Sequence, residues 1–258
     1  MICLSKNKTD EYVNMFAAGA NLPVEDYDYD FENNPILVRS MGKRKLIKKC
    51  WKNNHTFYYM DSGYVGNYKS QSNPNGWKLW HRIVKNDIQH NKIVNRPDDR
   101  WKRLNYSIEK PKQGKHILIV TPSEKPCKFY GIDRDSWVKN TVKEIKKYTD
   151  RPIIVRDKAT RQQRIVRTIF EDLEDCHALV TFQSIAAVES VLYGVSAFTL
   201  APTAADPVCD KDLSFIETPT VQDWDKINKW AHHLAYGQFH INEMKTGTAY
   251  RILTNENR

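Results

Sequence analysis

Between residues 116 and 201 the chain alternates short apolar runs with helix-like stretches, and that alternation admits few architectures. "HILIVTPS" (116–123) is apolar and ends in turn residues; "RPIIVRDK" (151–158), "HALVTFQ" (177–183) and "VSAFTLA" (195–201) repeat the form. Runs this short and this uniformly apolar read as strands covered on both faces. Between them, "RDSWVKNTVKEIKKYT" (134–149) puts Trp137, Val138, Val142, Ile145 and Tyr148 on one helical face, and "RIVRTIFEDLEDC" (164–176) and "SIAAVESVLYG" (184–194) read as two further helices. Strand and helix in strict succession predict a doubly wound parallel sheet.

The first half is rougher but similar in kind. "MICLSKNK", "PILVRSMG" (35–42) and "HTFYYMDSG" (55–63) read as strands, and "DEYVNMFAAGAN" and "KRKLIKKCWKNN" as the helices between them. Residues 64–105 are aromatic, polar and turn-rich, which predicts long loops facing a ligand or an inserted subdomain. "EKPKQGK" (109–115) reads as a polar hinge, so two α/β domains are expected, 1–112 and 113–258. "TVQDWDKINKWAHHLAYGQF" predicts a long amphipathic helix near the end, with a second short helix in "INEMKTGTAYRIL". A terminal helix of this length could cross back and brace the first domain.

A hydrophobic content of 40% over 258 residues is enough for packed cores. Nothing approaches a membrane-spanning length, and the opening residues are too polar for a signal peptide. The five cysteines, Cys3, Cys50, Cys127, Cys176 and Cys209, have no CxxC spacing, which fits reduced thiols in a cytosol and argues against zinc. The net charge of +9 favours polyanionic partners. "GKRKLIKKCWKNN" (42–54) is the densest basic cluster, although a helix with a solvated face and a buried stripe of Leu46, Ile47 and Cys50 accounts for it equally.

Ligands of open parallel sheets sit beyond the carboxyl ends of the strands. In the second domain those ends carry Thr121 and Ser123, Arg156 and Lys158, and Ser184 with Glu189 further along the next helix. A helix start at Ser184 with two nearby cations would suit a diphosphate, and Glu189 would suit a ribose hydroxyl. A capping serine and a solvated glutamate are the plainer reading of the same residues. Neither GxGxxG nor GxxxxGK[ST] occurs, which weakens dehydrogenase and P-loop kinase readings.

The stretch "HALVTFQSIAAVESVLYGVSAFTLAPTAADPV" resembles the donor-binding region of GT-B glycosyltransferases, in which a strand leads into S/T-x-x-x-x-E on a helix, then "GV" and another strand. With "RPDDRWKRL" and the C-terminal segment, the chain resembles small phage-encoded transferases, some of which decorate hydroxymethylated DNA bases. The resemblance implies two Rossmann-like domains facing a cleft and a nucleotide-sugar donor, UDP-glucose or similar; no further cofactor and no metal is expected, since Arg156, Lys158 and the helix end already supply positive charge and the "DYD" at 26–30 lies in an acidic loop. It implies that Ser184 touches the diphosphate, that Glu189 binds the ribose, and that Arg156 and Lys158 neutralise the diphosphate; Ser123, from its place at a strand end, is expected in the same donor site.

An inverting transfer needs a base for the acceptor hydroxyl. Asp61, after an aromatic strand and before a Ser-Gly turn, is the candidate; an Asx-turn is the alternative, and His55, His81, Asp87 and His90 are weaker choices. Arg82, Lys85, Arg96, Arg100, Lys102 and Arg103, with Trp77, Trp80 and Trp101 nearby, would form a basic acceptor surface for double-stranded DNA, with a 5-hydroxymethylpyrimidine flipped out of the stack; the competing reading is that the three tryptophans are core residues. The expected enzyme is thus a cytoplasmic monomer in which Asp61 drives direct displacement. Two alternatives stay open: a transferase acting on a cell-surface glycan or small acceptor, and a non-catalytic protein that binds DNA or a sugar nucleotide.

Overall fold

The computed structural model describes residues 1–67, 76–157 and 168–255. The chain divides into two compact units. The first takes in the residues up to Asn67, those from Gly76 to Ile88 and the segment from Ala235 onward; the second runs from Gln89 to Leu234.

In the first unit, β1 (Ile2–Leu4), β2 (Val24–Glu25), β3 (Ile36–Arg39), β4 (Phe57–Ser62), β5 (Trp80–Lys85) and the late strand β10 (Gln238–His240) form one sheet in the order β10-β5-β4-β3-β1-β2. The strands β1 to β4 are mutually parallel where they pair, and β5 and β10 run antiparallel along one side. Helix α1 (Glu11–Ala20) begins where Asp10 accepts the N–H groups of Tyr12 and Val13, and ends at Asn21 in the left-handed region. Its buried stripe of Tyr12, Val13, Phe16 and Ala17 packs on the sheet face carrying Cys3, Leu37, Tyr58, Met60, Ile83 and Phe239. Helix α2 (Arg44–Lys52) buries Ile47 and Cys50 and leaves its cations outside.

In the second unit, β6 (His116–Val120), β7 (Ile153–Arg156), β8 (Cys176–Thr181) and β9 (Ser196–Thr199) form an all-parallel sheet in the order β7-β6-β8-β9. Its helices are α3 (Asp99–Leu104), α4 (Glu124–Tyr130), α5 (Arg134–Ile145), α6 (Ile169–Leu173) and α7 (Ala186–Leu192). Ile117, Ile119, Ala178, Val180 and Phe198 project from one sheet face onto Ile145, with Leu213 and Ile216 closing the same cluster. Helix α8 (Trp224–Tyr236) buries Ile227, Trp230, Ala231 and Leu234 at the spacing of a single helical stripe, and the division between units falls near its end.

Three sequence expectations need correction. Residues 64–105 are not only loops, because β5 is a full strand of the first sheet and α3 a helix of the second unit. The expected hinge at 109–115 is docked instead: Glu109 N–H donates to Leu192 O at 2.8 Å and Lys112 N–H to Gly194 O at 2.7 Å. A boundary at 112 therefore separates residues that backbone hydrogen bonds join. The terminal segment, counted with the second domain though expected to cross back and brace the first, belongs to the first unit, where Phe239 is fully buried. Its expected single short helix is two, α9 (Ile241–Lys245) and α10 (Thr248–Thr254), broken at Gly247 with φ +70°. Both pack on α1: a Cβ at Gly19 would lie 2.0 Å from Met244 O, and one at Gly247 would lie 2.2 Å from Gly19 O.

Candidate functional site

The carboxyl ends of the second unit's strands hold a braced set of polar groups. Thr121, just past β6, is buried and donates its hydroxyl to Asp157 at 3.0 Å, and Asp157 is also ion-paired with Arg134. Ser123 takes the N-cap position of α4 and is half-buried. Ser184 Oγ accepts the Ala186 N–H at 3.2 Å, so its hydroxyl supports the first turn of α7. Glu189 lies on that helix, half-buried. Gln183, which the linear pattern did not single out, is buried and ties the ends of β8 and β9 to α4: its Nε2 donates to the Tyr130 hydroxyl at 2.6 Å and to Pro202 O at 2.7 Å. Its position between a strand run and Ser184 was the only signal for it.

Arg156 is the last residue of β7, and its guanidinium is ion-paired with the buried Asp172 of α6. Its strand and that of Ser184 are separated by β6, about 10 Å apart at the usual spacing of paired strands. The charge that Arg156 was expected to bring beside Ser184 is shared with a buried carboxylate. Lys158 lies outside the described residues.

The first unit carries a second constellation, at the carboxyl edge of β1, β3 and β4. Asp61 Oδ2 accepts the Tyr59 hydroxyl at 2.5 Å and faces Arg82 Nη2 at 3.7 Å, while Oδ1 accepts the Ser62 N–H at 2.8 Å. The Arg82 side chain is 6% exposed and that of Asp61 31%. Arg82 also donates to Ser62 O at 2.7 Å and lies over the rings of Tyr59 and Tyr64. Burial acts to raise the Asp61 pKa, but Arg82, the Tyr59 hydroxyl and the Ser62 N–H outweigh it and hold the carboxyl below its ordinary value. The carboxylate is therefore ionised at neutral pH, and its exposed third can meet a hydroxyl.

The opposite face of the same edge holds Asp10, Arg39, Tyr12 and His81. Arg39 Nη1 donates to Asp10 Oδ2 at 2.8 Å and its guanidinium stacks 4.6 Å over Tyr12. The Tyr12 and His81 rings are 4.2 Å apart. The His81 ring donates from Nε2 to Lys78 O at 3.1 Å, its Nδ1 is buried without a partner, and burial and Arg39 lower its pKa to about 4. Between these faces, Ser40 holds φ +76° and ψ 140°, a region that residues other than glycine seldom enter. Asn7 and Lys8, which follow β1, also have positive φ. Asp10 and Arg39 were invisible in sequence because their meeting depends on the pairing of β1 with β3.

The residues expected to form the basic acceptor surface are divided between the two units. Trp80, Arg82 and Lys85 belong to the first unit, and Arg96, Arg100, Trp101, Lys102 and Arg103 to the second. Arg82, Arg100 and Trp101 are buried, because each sits on the inward side of its element. Lys102 and Arg103 pair with Asp98 and Asp99 one turn earlier on α3. Trp80 is half-buried, with Gly66 against its ring and His240 at 5.1 Å, while Lys85 is exposed and Arg96 half-buried.

Among the described residues, no group of three or more His, Cys, Asp or Glu side chains could hold a metal ion, and no helix is long and apolar enough to cross a membrane. No protein-family model matches the chain, and no curated protein matches it. Solved structures do resemble it. The KpsC β-Kdo 2,4 transferase of Thermosulfurimonas dismutans aligns with a TM-score of 0.56 at 11% identity, covering 95% of this chain and 97% of that one. The KpsC β-Kdo 2,7 transferase of the same organism aligns with a TM-score of 0.52 at 9% identity, covering 96% and 98%. At such identities the likeness is one of fold.

Proposed function

We propose that this protein is a GT-B glycosyltransferase that moves a sugar from a nucleotide-sugar donor to a carbohydrate hydroxyl. The observation that carries the reading is the fold likeness to two Kdo transferases, which extends over nearly the whole of both chains. The second unit binds the donor beyond its parallel strands, through Ser123, Ser184 and Glu189, with Lys158 as a further contact and Arg156 acting from its pair with Asp172. Asp61 takes the acceptor proton as the acceptor oxygen bonds to the anomeric carbon and the nucleotide leaves with the bonding pair. A glycan acceptor is preferred over a base in DNA because Arg82, Arg100 and Trp101, expected to grip and stack on DNA, are interior.

The test is incubation with UDP-hexoses and nucleotide-activated Kdo, each offered glycan acceptors and hydroxymethylated DNA. Released nucleotide and product mass are the readouts. Asp61→Asn should lower transfer by about 10²-fold or more while donor binding persists. Absence of both turnover and donor binding across the panel would overturn the reading, and product on DNA alone would reverse the choice of acceptor.

A further inference from the structure

Helix α2 has an unusually one-sided surface. Arg44, Lys45, Lys48, Lys49 and Lys52 are all exposed, and the helix contains no acidic residue. At 100° per residue these five cations occupy an arc of about 140°, and from first to last they extend about 12 Å along the axis. Leu46, Ile47 and Cys50 fill the other side, with Ile47 and Cys50 buried. The helix follows the carboxyl end of β3, the strand paired with β4, after Ser40 and one 3-10 turn (Met41–Lys43), so the cationic face begins near the edge that holds Asp61. It runs away from that edge toward Phe57, whose ring meets Trp51 at 6.1 Å.

We propose that this face is a binding track for an acidic glycan, a chain of sugars bearing carboxylates, whose terminal hydroxyl it leads toward Asp61. The proposal rests on the glycosyltransferase reading for its catalytic consequence, but not for binding itself. Charge complementarity selects a linear polyanion. Lysines dominate, and a lysine is a compact point charge on a flexible stem that tolerates irregular spacing of the anionic groups along a chain. Trp51 flanks the track, 38% exposed, with its indole N–H donated to Asn86 O at 3.0 Å and its ring edge-on to Phe57. The loop between β2 and β3 frames the track, with Tyr27 3.6 Å from Lys43 Nζ and Phe31 5.8 Å from Lys49 Nζ. That loop also brings Asp26, Asp28, Asp30 and Glu32, so an incoming polyanion must compete with carboxylates of the protein itself.

The experiment measures binding of alginate oligosaccharides, neutral dextran and a DNA duplex to the full chain and to a K45Q/K49Q/K52Q variant, at two salt concentrations. Alginate should bind, weaken with salt and lose about tenfold in affinity in the variant, with dextran inert and circular dichroism unchanged. Alginate binding that ignores the three substitutions, or no alginate binding, overturns the track. DNA binding that is tighter than alginate binding and is lost in the variant overturns the choice of partner. Nucleotide-sugar binding measured on the same variant separates the two readings: the track can fail while donor binding stands, and the transferase can fail while alginate still binds.

Discussion

The Tyr59 hydroxyl lies 2.5 Å from Asp61 Oδ2 and donates to it from a side chain with no solvent exposure. The two residues are i and i+2 on β4, so they share one face of the strand, and their register partners Val84 and Arg82 on β5 share it as well. A carboxylate fixed by a buried phenol and a buried guanidinium keeps one orientation, which a proton acceptor needs.

Tyr59→Phe should therefore raise the Asp61 pKa toward its ordinary 3.8 and shift the acid limb of the rate profile upward. The folded carboxyl titrates below 3.8, so its stabilising contribution is complete above that value and is lost as pH falls toward the folded pKa. An acid limb that does not move in Tyr59→Phe would remove Asp61 from the titrating role.

Arg82→Met should destabilise the first unit by about 2–4 kcal/mol, since it leaves a partly buried carboxylate without its cation. Chemical denaturation reads the loss. Addition of Asp61→Asn should recover part of it, because the remaining groups are then neutral.

His81 and His233 both titrate at about 4 in the folded protein, lowered from 6.5 chiefly by burial and further by Arg39 and Arg96 respectively. Their folded pKa values lie below the unfolded one, so stability is full above pH 6.5 and declines from there to about pH 4. Each shift corresponds to at most roughly 3 kcal/mol. Urea unfolding from pH 7 to pH 4.5 should show the decline, and His81→Phe should flatten it.

Gly19→Ala should cost about 1–3 kcal/mol, because its methyl would meet Met244 O at 2.0 Å and the backbones of α1 and α9 must part. Gly131→Ala is the matched comparison: φ is +72° but nothing lies within 4 Å, so only the backbone penalty of about 1 kcal/mol remains. Thermal melts of the two variants should rank in that order.

Ser40→Gly should raise stability by about 1 kcal/mol by relieving its positive φ, less the added freedom of the unfolded chain. A melting temperature equal to or below that of the parent would show that the Ser40 side chain repays the strain.

The second unit's sheet was legible because each of its strands is an apolar run between helix-like stretches, and the structure places a strand at all four runs, although β7, expected to be covered on both faces, leaves Ile154 and Val155 exposed at the sheet edge. Strand β5 was not, since "WHRIVK" buries His81 and Arg82 in the first sheet and so reads as a polar segment. Of the candidate site, Asp61 and Ser184 could be found from strand-end position alone. The Arg156–Asp172 pair could not, because nothing in a linear pattern tells which carboxylate will fold onto a given guanidinium. The same limit hid the burial of Arg100, whose neighbours Lys102 and Arg103 look identical in composition but face solvent.

Strand β10 contributes Gln238, whose Oε1 accepts the N–H groups of Tyr64 at 2.6 Å and Val65 at 3.1 Å. The turn after Asp61 is thus held by a residue made more than 170 positions later. During synthesis, the last strand of the first unit's sheet emerges only after the whole of the second unit, so β5 has no β10 to pair with until the chain is nearly complete.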